Sequence, residues 1–160
     1  MSRDQNSESI ENVSETFQQT NIASSLLPPD YRPSEDEKFM NPLQLEFFKQ
    51  QLLLWRTELL HESSETLSSM QEENLAQPDL TDRASMETDR AIELRTRDRE
   101  RKLISKIDSA LERILDGSYG FCEETGEPIS LKRLEARPIA TLTLEAQERH
   151  ERAERTMRDD

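Results

Sequence analysis

The sequence predicts an all-α-dominated fold: a long antiparallel coiled-coil hairpin, then a small compact module and a last helix. Three observations carry this reading. Only one valine occurs in 160 residues, so a large sheet is improbable. Two long stretches carry apolar residues at alternating steps of three and four, the seam of a coiled coil. Between them lies PDLTDRA, residues 78–84, a break that lets two helices of similar length fold back on each other.

The elements follow in chain order. Residues 1–38 are rich in Ser, Asn, Gln and Glu and carry Pro28, Pro29 and Pro33 near their end. That composition predicts a flexible arm, partly docked on the module through residues 22–27 and Tyr31. The hairpin is expected over 39–117. Asn41 caps its first helix and Pro42 suits the first helical position. Leu45, Phe48, Leu52, Trp55 and Leu59 then form the seam, and Leu67, Met70 and Leu75 extend the helix to the break at Pro78. The second helix runs from about Leu80 to Asp116, with its clearest seam late, at Ile104, Ile107, Leu111 and Ile114. Gly117 ends it. Each helix is roughly 50 Å long. Folding back brings the two strongest seams together at the base and leaves a polar, acidic tip at 76–84.

All three glycines, Gly117, Gly120 and Gly126, fall within ten residues. They announce a compact module over 118–143, built from a tight turn, a short helical stretch at 131–136 and the apolar alternation TLTL. Its packing candidates are Tyr119, Phe121, Ile129, Leu131, Leu134, Ile139 and Leu142. A charged last helix occupies 144–160 and presents a solvated face.

Composition excludes several function classes. Leu, Ile, Val and Phe make up about a fifth of the chain, near the lower limit for packed cores. A net charge of -13 and a pI near 4.7 argue against the phosphate backbone as the main partner. No apolar run approaches the ~18 residues of a membrane span, and no leader-like start is present. Cys122 is the only cysteine, so no internal disulfide forms. A cytoplasmic monomer is the expectation.

Three stretches carry chemistry. Asp79 and Asp82 sit at the break, where Asp79 can cap the second helix and Asp82 can meet its dipole. That role leaves open why a rod should carry its anions at an unburied tip. No His lies near enough to make the pair catalytic, so no enzyme is expected. The run RTRDRERK, residues 95–102, is basic in an acidic protein. It reads either as a solvated face with intrahelical ion pairs or as a site for an anionic ligand. Arg99, Leu103 and Lys106 share one helix face, and Arg133 and Arg137 add cation in the module. The third stretch, GFCEETGEPI, begins like a zinc knuckle, but three residues after Cys122 stands Thr125, a poor zinc ligand. The neighbours Glu123 and Glu124 would disfavour a Cys122 thiolate, so an unreactive packing residue is expected.

Together DLTDRA, ELRTRDRERKLI, YGFCEETGEPI and RLEARP, in this order and spacing, resemble the DksA family of RNA polymerase regulators, within the DksA/TraR group. The resemblance covers about Tyr31 to the last helix. It implies direct binding of RNA polymerase, with no sequence-specific DNA site, and entry of the coiled-coil tip into the secondary channel. Asp79, Asp82 and Ala84 match the family's activity residues at that tip. The family also acts with ppGpp, held between the regulator and polymerase, and Arg99, Leu103, Lys106 and Arg137 match its contacts; a lysine the family often uses falls here on Gln147. The family's four zinc cysteines correspond to Cys122, Thr125, Thr143 and Ala146. With three of four replaced, the module is expected to be a degenerate, zinc-less version of the finger, held by packing alone.

The resemblance thus implies altered open-complex stability at ribosomal RNA and other stringently controlled promoters. Two alternatives share the hairpin. A transcript-cleavage factor would use its acids to hold metal in the same channel, and a helical adaptor would have no polymerase role.

Overall fold

The computed structural model describes residues 27–73 and 80–158. Four helices follow in order: α1, Pro42–Glu73; α2, Leu80–Asp116; α3, Leu131–Ala136; and α4, Leu144–Arg158. The described residues form no named strand; a single antiparallel bridge joins Phe121 and Pro128. The arm upstream of 27 and residues 76–79 of the tip, Asp79 among them, lie outside the described residues.

Residues 27–41 form turns across the base of the hairpin. The Asn41 side chain accepts from the Gln44 backbone N–H at 3.0 Å, the expected cap of α1. Gln44, fully buried, ties the preceding turns down. Its carbonyl accepts from the Met40 N–H at 2.8 Å, and its amide donates to the Ser34 carbonyl at 3.1 Å and the Glu37 carboxylate at 3.2 Å. Glu37 also accepts from the Tyr31 hydroxyl at 2.6 Å, and the Tyr31 ring meets Phe47 edge-on.

The hairpin packs where its seams are strongest. Phe48, Leu52 and Leu59 of α1 and Ile107 and Ala110 of α2 are buried; Leu45, Trp55, Ile104, Leu111 and Ile114 pack partly buried beside them. Past Leu59 toward the tip no apolar side chain of α1 is described as buried. Polar clasps continue the contact instead: Arg56 pairs with Asp108 at 2.7 Å, and the Ser63 hydroxyl donates to Glu100 at 2.7 Å. The grip is at the base because apolar seam residues are there.

Gly117, at φ +83°, ends α2, and the Ser118 N–H reaches back to the Arg113 carbonyl at 3.0 Å. This is the glycine-ended cap expected from the sequence. Tyr119 then joins module to hairpin. It is 1% exposed, its ring lies 5.6 Å from that of Phe48, and its hydroxyl donates to the Pro138 carbonyl at 2.7 Å. Gly120 is required twice over. Its φ is +88°, and a Cβ there would stand 3.0 Å from the Met40 side chain.

One packing expectation needs correction. Phe121 is 37% exposed rather than central, because its ring turns outward to meet Phe39 edge-on at 5.4 Å. The TLTL alternation leads into the last helix: Thr143 is buried and Leu144 is 58% exposed. The chain is starting α4 there, and the Thr143 carbonyl and hydroxyl accept from the N–H groups of Gln147 and Ala146. Tyr119, Ile129, Leu131, Leu134 and Ile139 are buried as expected, and Leu142 packs partly buried against them.

Candidate functional site

At the tip, α2 opens at Leu80, one residue after Asp79. Asp82 falls in the first turn, where its charge meets the positive end of the helix dipole. Asp82 and Ala84 are both exposed. Asp79 itself is outside the described residues.

The basic face is further down α2. Arg95, Asp98, Arg99, Lys102, Leu103 and Lys106 line a cleft of about 450 Å³ that Arg137 and Ile139 of the module close. A larger cleft of about 640 Å³ adjoins it, sharing Lys106, Arg137 and Ile139 and adding Arg113, Arg133 and Gln147 among others. The fold thus brings together Arg99, Leu103, Lys106 and Arg137, which the sequence separates by up to 38 positions. RLEARP supplies the last of them because α3 is anchored. The Ser130 hydroxyl caps it at the Arg133 N–H, Leu131 and Leu134 are buried, and the Arg133 guanidinium donates to the Leu142 carbonyl at 2.9 Å.

The charges divide into two sets. Lys102 and Arg101 pair with Asp98 at 2.9 and 2.8 Å, and first Lys102, then Arg101, holds the Asp98 carboxyl below its usual range. These two are the intrahelical pairs of a solvated face. Arg95, Arg99, Lys106 and Arg137 form no ion pair among the described residues. Four unneutralised cations around one recess suit a ligand with several negative charges. The solvated-face reading of the run thus applies to Arg101 and Lys102.

Sequence reasoning placed Arg95 in the basic run without singling it out and gave Arg113 no role. Both were legible: Arg95 is one turn before Arg99, and Arg113 one heptad after Lys106. Arg113 pairs with Glu123 at 3.2 Å, and its Nε is buried with no hydrogen-bond partner among the described residues.

Backbone hydrogen bonds close the turn around Cys122. The Cys122 N–H donates to the Glu127 carbonyl at 2.8 Å and the Gly126 N–H to the Cys122 carbonyl at 2.9 Å. Its donor set does not fit zinc. One thiol, two hydroxyls and the methyl of Ala146 stand at the four positions, and zinc needs four ligand atoms drawn from thiolate, imidazole or carboxylate. Among the described residues no group of three or more His, Cys, Asp or Glu is arranged for a metal.

The thiol departs from expectation. Burial pushes Cys122 up, but hydrogen bonds from the Thr125 hydroxyl and the backbone at Thr143, Thr125 and Glu124 outweigh this and bring it down to about 6. The Thr143 hydroxyl also faces Sγ at 3.9 Å. The adjacent carboxylates do not oppose the thiolate as the sequence suggests, because both are engaged elsewhere. Glu123 pairs with Arg113, while Glu124 pairs with Arg149 at 2.9 Å and His150 at 2.8 Å.

Comparison with known proteins places these features. The description "DnaK suppressor protein DksA, N-terminal domain" matches residues 44–114, and "Prokaryotic dksA/traR C4-type zinc finger" matches residues 117–152. The RNA polymerase-binding transcription factor DksA of Caulobacter vibrioides is 71% identical over 131 residues, covering 82% of this chain and 92% of its own. The chain belongs to the DksA family. The Escherichia coli DksA of the same description is 42% identical over 127 residues, covering 79% of this chain and 84% of its own. In structure, transcription factor DksA2 from Pseudomonas aeruginosa superposes with a TM-score of 0.71 at 39% identity, covering 86% of this chain and 98% of its own. The match to a C4-type finger coexists with the loss of three of its four cysteines. No described helix is long and apolar enough to cross a membrane.

Proposed function

We propose that this chain is a transcription regulator that binds RNA polymerase directly, places its hairpin tip in the secondary channel and responds to ppGpp. It alters open-complex stability at ribosomal RNA and other stringently controlled promoters and has no catalysis of its own. The observation that carries this reading is the division of the hairpin. Apolar packing is confined to the base, and the 37-residue α2 runs from there to an exposed acidic first turn. A rod fixed at one end and polar at the other is suited to work inside a second protein. The relatives' descriptions as polymerase-binding factors name that protein. Asp79, Asp82 and Ala84 act at the tip, where capping of α2 fixes the carboxylates on a rigid support. The cations Arg99, Lys106 and Arg137, with Leu103 beneath them, hold ppGpp against polymerase.

The test is transcription from a ribosomal RNA promoter by purified polymerase, with parent protein and an Asp79→Asn/Asp82→Asn variant. Asn caps about as well as Asp, and the lost Asp82 charge costs about 0.3–1 kcal/mol at most. The variant should compete for polymerase like the parent yet leave open-complex lifetime unchanged. Regulation at the parent's level by this variant would defeat the tip reading.

A further inference from the structure

The larger of the two clefts carries groups that phosphates alone do not call for. Along α2 its wall changes character in one direction. Lys106 stands where the two clefts meet, Ser109 follows, and Glu112 and Asp116 lie toward the base. Ser105, Ser109, Glu112 and Asp116 succeed one another at steps of four, three and four, so they form one stripe of the helix. The module contributes Arg133, Arg137 and Gln147 to the same cleft. Several polar groups of the stripe are unused. Thr57, Thr66, Thr88, Thr96 and Thr156 each close their hydroxyl on the carbonyl four residues back in their own helix. Ser105 and Ser109 are exposed and make no hydrogen bond among the described residues. Of the three acids that line the cleft, two are engaged. Asp116 accepts from the Ser118 hydroxyl at 2.5 Å and the Ser118 N–H at 2.8 Å, and Glu123 pairs with Arg113 at 3.2 Å. Glu112 has neither a hydrogen bond nor an ion pair among the described residues. A free carboxylate is the wrong group for a cleft that takes only phosphates, because like charges repel.

We infer that Glu112 selects the base of a guanine nucleotide whose phosphates lie on Arg99, Lys106 and Arg137. The inference rests on the proposed ppGpp binding and adds how the ligand lies and what chooses its base. Lys106, Ser109 and Glu112 are three residues apart in turn, and Lys106 to Glu112 is about 9 Å along the helix. That is the kind of reach a nucleotide has from its phosphates to the far edge of its base. Laid lengthwise, the ligand meets its counterparts in order: cations for the phosphates, the free serine hydroxyls for the sugar, the carboxylate for the base. Guanine offers a ring N–H and an exocyclic amino group side by side. Those two donors match the two acceptor oxygens of one carboxylate. Adenine offers a bare ring nitrogen at the same edge, and a carboxylate repels that lone pair. Glu112 therefore favours guanine twice, by attracting one base and rejecting the other.

The test titrates output from a ribosomal RNA promoter, using purified polymerase and the full chain. Two nucleotides are compared: ppGpp and its adenine counterpart, which carries the same diphosphates on adenosine. The parent should need about tenfold more of the adenine nucleotide, or show no response to it. Glu112→Ala changes an exposed position to the best helix former, so its melting temperature should match the parent. It should raise the ppGpp midpoint about tenfold and bring the two nucleotides within about threefold of each other. Lys106→Ala should weaken both responses alike, because it meets phosphates that both nucleotides share. A Glu112→Ala midpoint for ppGpp that is unchanged or lower would show a solvated acid that only repels phosphate, and the inference falls. A parent indifferent to the base, or a variant that keeps the parent's preference, overturns it as well, the second by placing the choice of base on polymerase. A parent that ignores both nucleotides, or Lys106→Ala titrating like the parent with both, would instead sink the ppGpp reading itself.

Discussion

Lys106 and Lys102 sit four residues apart on α2 and line the same cleft, yet they should respond differently to removal. Lys106 has no ion pair among the described residues, whereas Lys102 is engaged with Asp98 at 2.9 Å. If the cleft holds ppGpp, Lys106→Ala deletes a charge-assisted contact, roughly 1.5–3 kcal/mol where it is desolvated. At 1.4 kcal/mol per decade, the lower end is about a tenfold rise in the ppGpp concentration giving half-maximal effect. The lower end applies because Lys106 is exposed and salt screens it. Lys102→Ala should shift that midpoint less than about threefold, since Asp98 keeps Arg101 at 2.8 Å and the recess keeps its four unpaired cations. Neither change touches buried apolar surface, so melting temperatures should coincide. The assay is a ppGpp titration of promoter output with each variant, beside regulation without ppGpp, which should not change. Equal midpoints for Lys106→Ala and the parent, or equal losses for both lysines, would refute the division of the charges.

Two further outcomes follow from the base and the module. Gln44→Ala removes three hydrogen bonds of a fully buried amide and leaves the Met40 N–H and Ser34 carbonyl without it. The loss should be about 2–4 kcal/mol by urea denaturation, with protease cleavage moving into residues 27–41; a change under about 0.5 kcal/mol would show that the turns are held by other contacts. The Cys122 thiol titrates at about 6 when folded, below the ~8.5 of an unfolded thiol. Its contribution to stability is therefore complete above about 8.5 and is lost as pH falls through 6. Cys122→Ser should remove that part of the pH dependence and the thiolate absorbance that appears near pH 6; a thiolate first appearing above pH 8 would contradict the hydrogen-bonded geometry.

The hairpin was legible because its information is local and periodic. Leu45 to Leu59 and Ile104 to Ile114 repeat at coiled-coil spacing, and Asn41 and Gly117 mark ends with a known backbone requirement. The two helices begin and end within a few residues of expectation for that reason. Tertiary features were less visible. That Tyr119 binds the module to Phe48, and that Gln44 holds the preceding turns, depends on groups meeting across the base, with no spacing rule to announce it. For the site, the face shared by Arg99, Leu103 and Lys106 could be read from helical spacing. The pairing of Lys102 and Arg101 with Asp98, which singles out the cations left over, needed coordinates. Cys122 was misread because chain neighbours were treated as spatial neighbours, whereas Glu123 and Glu124 face Arg113, Arg149 and His150.

Those same pairs are among the contacts that bridge the module where the family's zinc would sit. A metal held by both knuckles would join the turn at 122–126 to the start of α4. Three contacts join them here. The Glu123 N–H donates to the Thr141 carbonyl at 2.9 Å, the Thr143 hydroxyl meets the Cys122 sulfur at 3.9 Å, and Glu124 reaches Arg149 and His150 on α4. At the last of the four positions Ala146 is fully buried, so the space is filled by a methyl and needs no polar partner. Strength is unequal among these links. The Glu124 pairs are exposed and worth little alone, and the sulfur contact is long. Holding the module must therefore fall to buried groups, with Tyr119, Ile129, Leu131, Leu134 and Ile139 packed against the hairpin core. That packing also carries Arg137 and sets its distance from Lys106. The cationic cleft is consequently only as rigid as the apolar base beneath it, and a substitution such as Leu134→Ala, well away from any charge, should loosen the cleft together with the fold.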